Sequence, residues 1–317
     1  MSKISMVAAG IDTGKRTLDV ALHGRKTRLQ VENTEAGHGQ LVRWLRRHKV
    51  GRVGIEASGG YEKAIVARLR QDGFTVVVFQ PRQVRAYADF RLQRAKNDQI
   101  DAELIAACTA EVETIREAPD PRLDAWIEHL TLIEQVEEDI ARLKTRREAT
   151  REPRLRQIVA DEIRRLKTMR RVELKRLRAE LDADPEFGRR LLLAMSVDGI
   201  GERTAIAFVV RLPELGTLSR EQVVALVGLA PFDDDSAGRQ GQRHIAGGRQ
   251  RLRKSVYAAA LPAAFQWNPA LIAFYKHLRA KGKQHKVALV AVARKLVIYV
   301  NTVIARGTPW VSKNVAA

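Results

Sequence analysis

The sequence predicts an α/β domain over residues 1–118, an α-helical coiled-coil hairpin over 119–186 and a mainly α-helical domain over 187–317. Three observations carry that division. Short β-prone apolar stretches separated by turns occupy the chain as far as Gln80. Apolar residues then recur at three- and four-residue steps from Trp126 to Leu181. The remainder carries long apolar helical patterns broken by glycine-rich turns.

The first domain opens on SMVAAGID, an apolar run that ends in Asp12. After a turn at Thr13-Gly14-Lys15-Arg16, TLDVALHG alternates as a second strand and TRLQVEN can pair as a third. Gly39 to His48 is helical through Leu41, Trp44 and Leu45, and RVGIEAS is a fourth strand holding Glu56. Tyr61 to Gln71 is helical, and FTVVVFQ is a fully apolar fifth strand. Two helices follow, the second from Asp98 to Glu111. Three strands, then helix, strand, helix, strand and helix, is the element order of an RNase H-like domain.

In the hairpin the repeating positions are Trp126, Leu130, Ile133, Val136, Ile140 and Leu143, then Leu155, Ile158, Ile163, Leu166, Met169, Leu174, Leu177 and Leu181. Pro153 interrupts them, so two long helices are expected to fold back on each other. Ala141 to Leu181 holds 15 Lys/Arg against 6 Asp/Glu. Such a run is a solvated helix face or an arm for nucleic acid or subunit pairing. Beyond it, MSVDGIGERTAIAFVV has the form of a helix-hairpin-helix, whose turn amides around Gly199 and Gly201 can hold a DNA phosphate. It also reads as an ordinary glycine-rich helix turn. EQVVALVGLAP is a helix stopped by Pro231, and RQRLRKSVYAAAL and KVALVAVARKLVIYV are strong helices.

The 317 residues carry 56 Lys+Arg against 37 Asp+Glu, a net charge of +19. A balance this basic points to a polyanionic partner, with counterions released from phosphates. Aromatics make up only 5%, which favours backbone contacts to double-stranded DNA over stacking on bases. Cys108 is the one cysteine, so no disulfide framework or cysteine-rich zinc site exists. The N-terminal apolar run is too short for a signal peptide, and no uninterrupted apolar run reaches membrane-spanning length. No membrane partner is expected.

Four acids of the first domain belong together. Asp12 and Glu56 end the first and fourth strands, which lie side by side in an RNase H-like sheet. Asp98 and Asp101, in KNDQIDAELIA, are three apart and share one helix face. Carboxylates gathered this closely repel unless a cation neutralises them, and four oxygen donors suit Mg²⁺ or Mn²⁺. Individually, Asp98 can cap its helix, Asp101 can face solvent and Asp12 can start a turn. GIDTGK also fits the first strand of sugar-kinase and actin-like ATPases weakly, but their second phosphate loop and adenosine motif are missing.

GIDTGK, GIEASGGYE and KNDQIDA resemble the DEDD motif of the insertion-sequence transposases related to the Piv invertases. DGIGERTA and GLAPFDDDSAGRQGQRHIAGGRQRLRKSVYAAAL are similar to that family's C-terminal transposase domain, so the likeness runs along nearly the whole chain. The resemblance implies a RuvC-like domain holding Mg²⁺ on Asp12, Glu56, Asp98 and Asp101, and a serine nucleophile at Ser236. It implies a homo-oligomer (dimer or tetramer), a structured non-coding guide RNA that chooses the DNA sequence, and a cytoplasmic, nucleoid-associated bacterial setting. Two positions depart from the pattern. Asn97 stands where the family often has Thr, and Ala237 separates the serine from Gly238, which alters the loop backbone open to it.

A serine attacking phosphorus keeps the bond energy in a phosphoserine ester, so a second strand can rejoin without ATP. Consistently, the chain has no GxxxxGK[ST] loop. Arg239, Arg243, Arg249, Arg251, Arg253 and Lys254 follow Ser236 without an intervening acid and are candidate phosphate clamps, as are Lys15 and Lys96 in the first domain. Asp233, Asp234 and Asp235 read as a solvated turn. Two other readings stay open at the level of sequence. One is a RuvC-like metal-dependent nuclease of junction-resolvase type that cuts by hydrolysis, and the other is a nucleic-acid-binding protein with a decayed metal site.

Overall fold

Strand β1 (Val7–Thr13) is buried at most of its positions because it lies at the centre of a sheet covered on both faces. The computed structural model describes residues 7–93, 97–114, 120–232 and 244–312. Two compact units divide the chain, Met1–Ala118 and Pro119–Ala317.

In the first unit β2 (Thr17–Leu22) pairs antiparallel with β1, and β3 (Arg28–Glu32) antiparallel with β2. On the other side of β1, β4 (Val50–Glu56) runs parallel to it, and β5 (Thr75–Phe79) runs parallel to β4. The sheet order is β3-β2-β1-β4-β5, with the neighbours that the element order implies. Helices α1 (Glu35–Arg47) and α2 (Lys63–Gln71) bury Leu41, Leu45, Ile65 and Leu69 against Ile11, Leu18, Val53 and Ile55. On the opposite face, α3 (Pro81–Phe90) and α4 (Asp98–Ala110) contribute Val84 and Ile105 to a smaller cluster with Phe79.

Helix α1 starts earlier than its apolar pattern indicates. The Thr34 hydroxyl accepts from the Gly37 N–H at 3.3 Å and caps the helix. A Cβ on Gly37 would overlap the Glu32 carbonyl oxygen, so the tight corner after β3 needs glycine, and that glycine hides the helix from its periodicity.

The second unit begins with α5 (Arg122–Ala149) and α6 (Pro153–Ala183), an antiparallel pair. His129 meets Glu173 at 2.9 Å, and Val136, Ile140, Ile163 and Leu166 form a shared seam. The seam departs from the expected register near the tip. Leu155 and Ile158 are 45% and 54% exposed, and Val159 packs inward instead. At the base, Glu134 of α5 is buried and accepts from Arg211 at 2.6 Å, Arg251 at 3.1 Å and Arg203 at 3.4 Å. These pairs bind the helix to α8 (Glu202–Arg211) and α10 (Gln250–Pro262).

Helix α7 (Pro185–Met195) precedes α8, and α9 (Arg220–Val227) leads to a two-stranded ribbon of β6 (Pro231–Phe232) and β7 (His244–Ile245). After α10 the chain passes through a π-helical turn, Ala263–Trp267, into α11 (Pro269–Ala280) and α12 (His285–Arg306). By length and composition α12 could cross a membrane. Here Leu289, Val292, Leu296, Val297 and Val300 are fully buried in the helical core, and Arg294 and Lys295 interrupt its apolar run.

Candidate functional site

Two glycines set where the acids meet. Gly10 and Gly54 are partners in the β1–β4 register and point to the face that carries α4. A Cβ on Gly10 would overlap the Ala102 carbonyl oxygen, and one on Gly54 would overlap the Thr109 hydroxyl. With glycine at both positions, α4 lies directly on the strands. Side chains alternate along a strand, so Asp12 and Glu56, each two residues further on, project from that same face. Asp98 and Asp101 lie one turn before Ala102 and Ile105 on α4, level with those strand ends. Beyond β4 the backbone is held by Glu62, whose carboxylate accepts from the Ser58 N–H at 3.0 Å and the Gly60 N–H at 2.9 Å.

Asn97, not Asp98, caps α4: its side-chain oxygen accepts from the Ile100 N–H at 2.8 Å. The alternative reading of Asp98 as a cap is therefore set aside, and Asp98 is exposed. Burial, with the charges of Asp101, Asp98 and Glu56 nearby, pushes the Asp12 carboxyl up to about 6, against one hydrogen bond from the Thr13 backbone. The charges of the other three acids thus all act on Asp12. Among the described residues, no three carboxylate, imidazole or thiol groups converge closely enough to ligate one ion. The donors are all carboxylate oxygens, a set that fits Mg²⁺ or Mn²⁺, and the repulsion at Asp12 is what such a cation relieves.

A fifth acid was not singled out from sequence. Asp19 of β2 lies directly opposite Asp12 in the antiparallel register and is buried. Burial raises its carboxyl, the Gln30 amide that donates to it at 3.0 Å holds it back, and Asp98 adds to the rise. The signal was available: the short Thr13–Arg16 turn forces Asp12 and Asp19 into cross-strand register.

The proposed nucleic-acid contacts divide. Lys15 is exposed on the β1–β2 turn, beside the end of the strand that holds Asp12. Gly201 caps α8 with open space around it, whereas Gly199, at φ +97°, is packed against Ala263. The described arginines after the serine loop are engaged by the protein itself. Arg249 forks onto Glu214 at 2.5 and 2.7 Å, and Arg251 pairs with Glu134. Arg253 donates to the Gly247 carbonyl at 2.5 Å and the Gly228 carbonyl at 3.1 Å, and Lys254 reaches Glu138 at 3.3 Å. Lys96, Ser236, Arg239, Arg243 and Asp233 to Asp235 lie outside the described residues.

Residues 9–160 match a transposase family of the DEDD IS110 type, and residues 191–276 match the transposase IS116/IS110/IS902 family. The chain is similar to the pilin gene-inverting protein of Moraxella bovis, 26% identical over 97% of this chain and 98% of that one. It is also similar to an IS110 insertion-element protein of Streptomyces coelicolor, 28% identical over 43% of this chain and 34% of that one. Among solved structures it is similar to Thermus thermophilus RuvC, at 18% identity and a TM-score of 0.24, over 36% of this chain and 85% of that one.

Proposed function

The chain carries both domains of the IS110/IS116 transposases, in order along its length, and on that premise we propose that it is a DNA recombinase that cuts and rejoins duplex DNA by transesterification. The observation that supports the reading is the Asp12 carboxyl near the end of β1, pushed up to about 6 by burial and by the charges of Asp101 and Asp98 on α4 and Glu56 at the end of β4. These four residues would hold Mg²⁺ or Mn²⁺, with Asp19 behind Asp12 setting the charge of the site. When bound, the cation neutralises charge on the phosphate and lowers the barrier to attack.

The remaining roles follow from the resemblance. The Ser236 hydroxyl attacks phosphorus, the P–O bond to one nucleoside breaks, and the departing oxygen takes up the serine proton. The phosphoserine ester is then attacked by a hydroxyl of a second strand, which restores a phosphodiester and returns the proton to serine. Lys15 and the Gly201 turn hold backbone phosphates, so the protein contacts contribute little sequence choice. A guide RNA that supplies that choice follows from the resemblance. Pairing of subunits through the α5–α6 hairpin is supported by the apolar Leu155 and Ile158 exposed near its tip.

The test is denaturing electrophoresis after incubation of the full chain with DNA bearing the element's ends, its RNA and Mg²⁺. A covalent protein–DNA species that disappears in Ser236→Ala is expected. Cutting that survives Ser236→Ala, with no covalent species in the native protein, would replace this reading with hydrolysis.

A further inference from the structure

From Ser236 to Ala317 the chain contains 15 Lys/Arg and no Asp or Glu. Acids from elsewhere in the unit engage the basic residues of α10, but they do not reach the far end of the segment. Among the described residues, no carboxylate pairs with Lys281 or Lys283, exposed between α11 and α12, or with Lys286, exposed in the first turn of α12. In the π-helical turn, Phe265 lies 6.3 Å from His285, the residue before Lys286, and Trp267 follows two positions later in the chain. Phe265 is 53% exposed and Trp267 is 62% exposed, values at odds with the 0–1% of the apolar residues that precede them, Ala263 and Ala264.

These rings are positioned by the fold. Phe265 packs edge-on against Tyr275 at 5.0 Å and lies nearly parallel to His285 at 6.3 Å. Tyr275 and His285 are joined by a 2.7 Å hydrogen bond. The turn ends at Asn268, which is buried; its amide donates to the Asp198 carbonyl at 3.1 Å and its oxygen caps α11. Asp198 begins the Gly199–Gly201 turn, and Gly199 rests on Ala263, the first residue of the π-helical turn that carries the rings. Phe265 and Trp267 thus keep large apolar surfaces in water, at a cost in free energy.

We propose that Phe265 and Trp267, flanked by Lys281, Lys283 and Lys286, form a stacking platform for the bases of an unpaired DNA strand. Aromatic faces take up bases of any sequence, and the lysines match the phosphates between them. A duplex presents only stacked base pairs and so cannot use the exposed rings. The proposal rests on the recombinase reading, because exchange between two duplexes passes through unpaired strands.

The test compares the full native chain with Trp267→Ala by fluorescence anisotropy on labelled oligo(dT) of about 20 nucleotides, long enough to span one such site. A duplex of the same length and oligo(U) are measured in parallel. Weakening of about tenfold on oligo(dT), with duplex binding unchanged, is expected. Lys281→Gln/Lys283→Gln/Lys286→Gln should lower the salt slope on oligo(dT) by about 2 units, at roughly 0.7 for each phosphate contact. Equal weakening on duplex, or no weakening, overturns the proposal. Tighter, Trp267-dependent binding of oligo(U) reassigns the surface to RNA, and a dimer in sedimentation that dissociates in Trp267→Ala reassigns it to a second copy. Loss of the platform with duplex binding intact leaves the recombinase reading standing; a native chain that binds no DNA removes both.

Discussion

Replacing Asp12 by asparagine separates the charge of the acid cluster from its shape, because the amide oxygen can still accept the Thr13 backbone hydrogen bond. The folded carboxyl titrates at about 6, against 3.8 for the free group. At roughly 1.36 kcal/mol per unit, that gap amounts to about 3 kcal/mol. Asp12 is only partly buried, so solvent screening reduces the figure to about 1.5 kcal/mol. The sign follows from proton binding. Between pH 3.8 and about 6 the folded state keeps a proton that the unfolded chain has lost, so the stability contributed by the protonated acid is complete below 3.8 and is lost as pH rises through 6. An asparagine at this position does not titrate and has no such loss. In EDTA at pH 8 the variant should therefore be the more stable protein by about 1.5 kcal/mol, a rise of several degrees in melting temperature. By pH 4 the advantage should vanish. Thermal melts followed by circular dichroism between pH 4 and pH 8 measure it, and millimolar Mg²⁺ should close the gap by stabilising only the native chain. A variant less stable at pH 8, or a gap that does not change with pH, would refute the electrostatic reasoning.

Other outcomes test the scaffold. Gly10→Ala drives a methyl group into the Ala102 carbonyl and should cost about 3 kcal/mol in urea unfolding while lifting α4, and with it Asp98 and Asp101, away from the strands. Asn97→Ala removes the cap of α4 at a cost of about 1 kcal/mol, and Asn97→Thr should recover most of it. Glu134→Gln leaves Arg203, Arg211 and Arg251 facing a neutral group and should destabilise the helical unit by about 3 kcal/mol, seen as a lowered urea midpoint. Because Arg251 is committed to Glu134, Arg251→Gln should change stability more than it changes the salt dependence of DNA binding.

The strand order, and with it the placing of Asp12 and Glu56 near the ends of adjoining strands, was legible in the sequence because it follows from element order and from apolar runs that end in an acid. The helical pair was legible from its repeat, although not the inward turn of Val159, since one exposed apolar residue looks like another in a periodic pattern. Asp19 was passed over because register is a property of two strands, and neither strand shows it alone. Gly10 and Gly54 read as ordinary strand residues until α4 is laid across them. The clamp arginines looked free because Glu134 and Glu214, their partners, are more than a hundred and more than thirty positions away. Local pattern carries local structure, and long-range pairing between charges leaves no trace in it.

If Asp12, Glu56, Asp98 and Asp101 hold the cation that DNA cutting requires, Asp12→Asn should lose strand cleavage in Mg²⁺. The substrate is DNA bearing the element's ends, and a gel shift on the same DNA serves as the control. Cutting reduced by at least about a thousandfold, with binding retained and the fold no less stable than the native one, is the expected result. Cutting at the native rate by Asp12→Asn would contradict it.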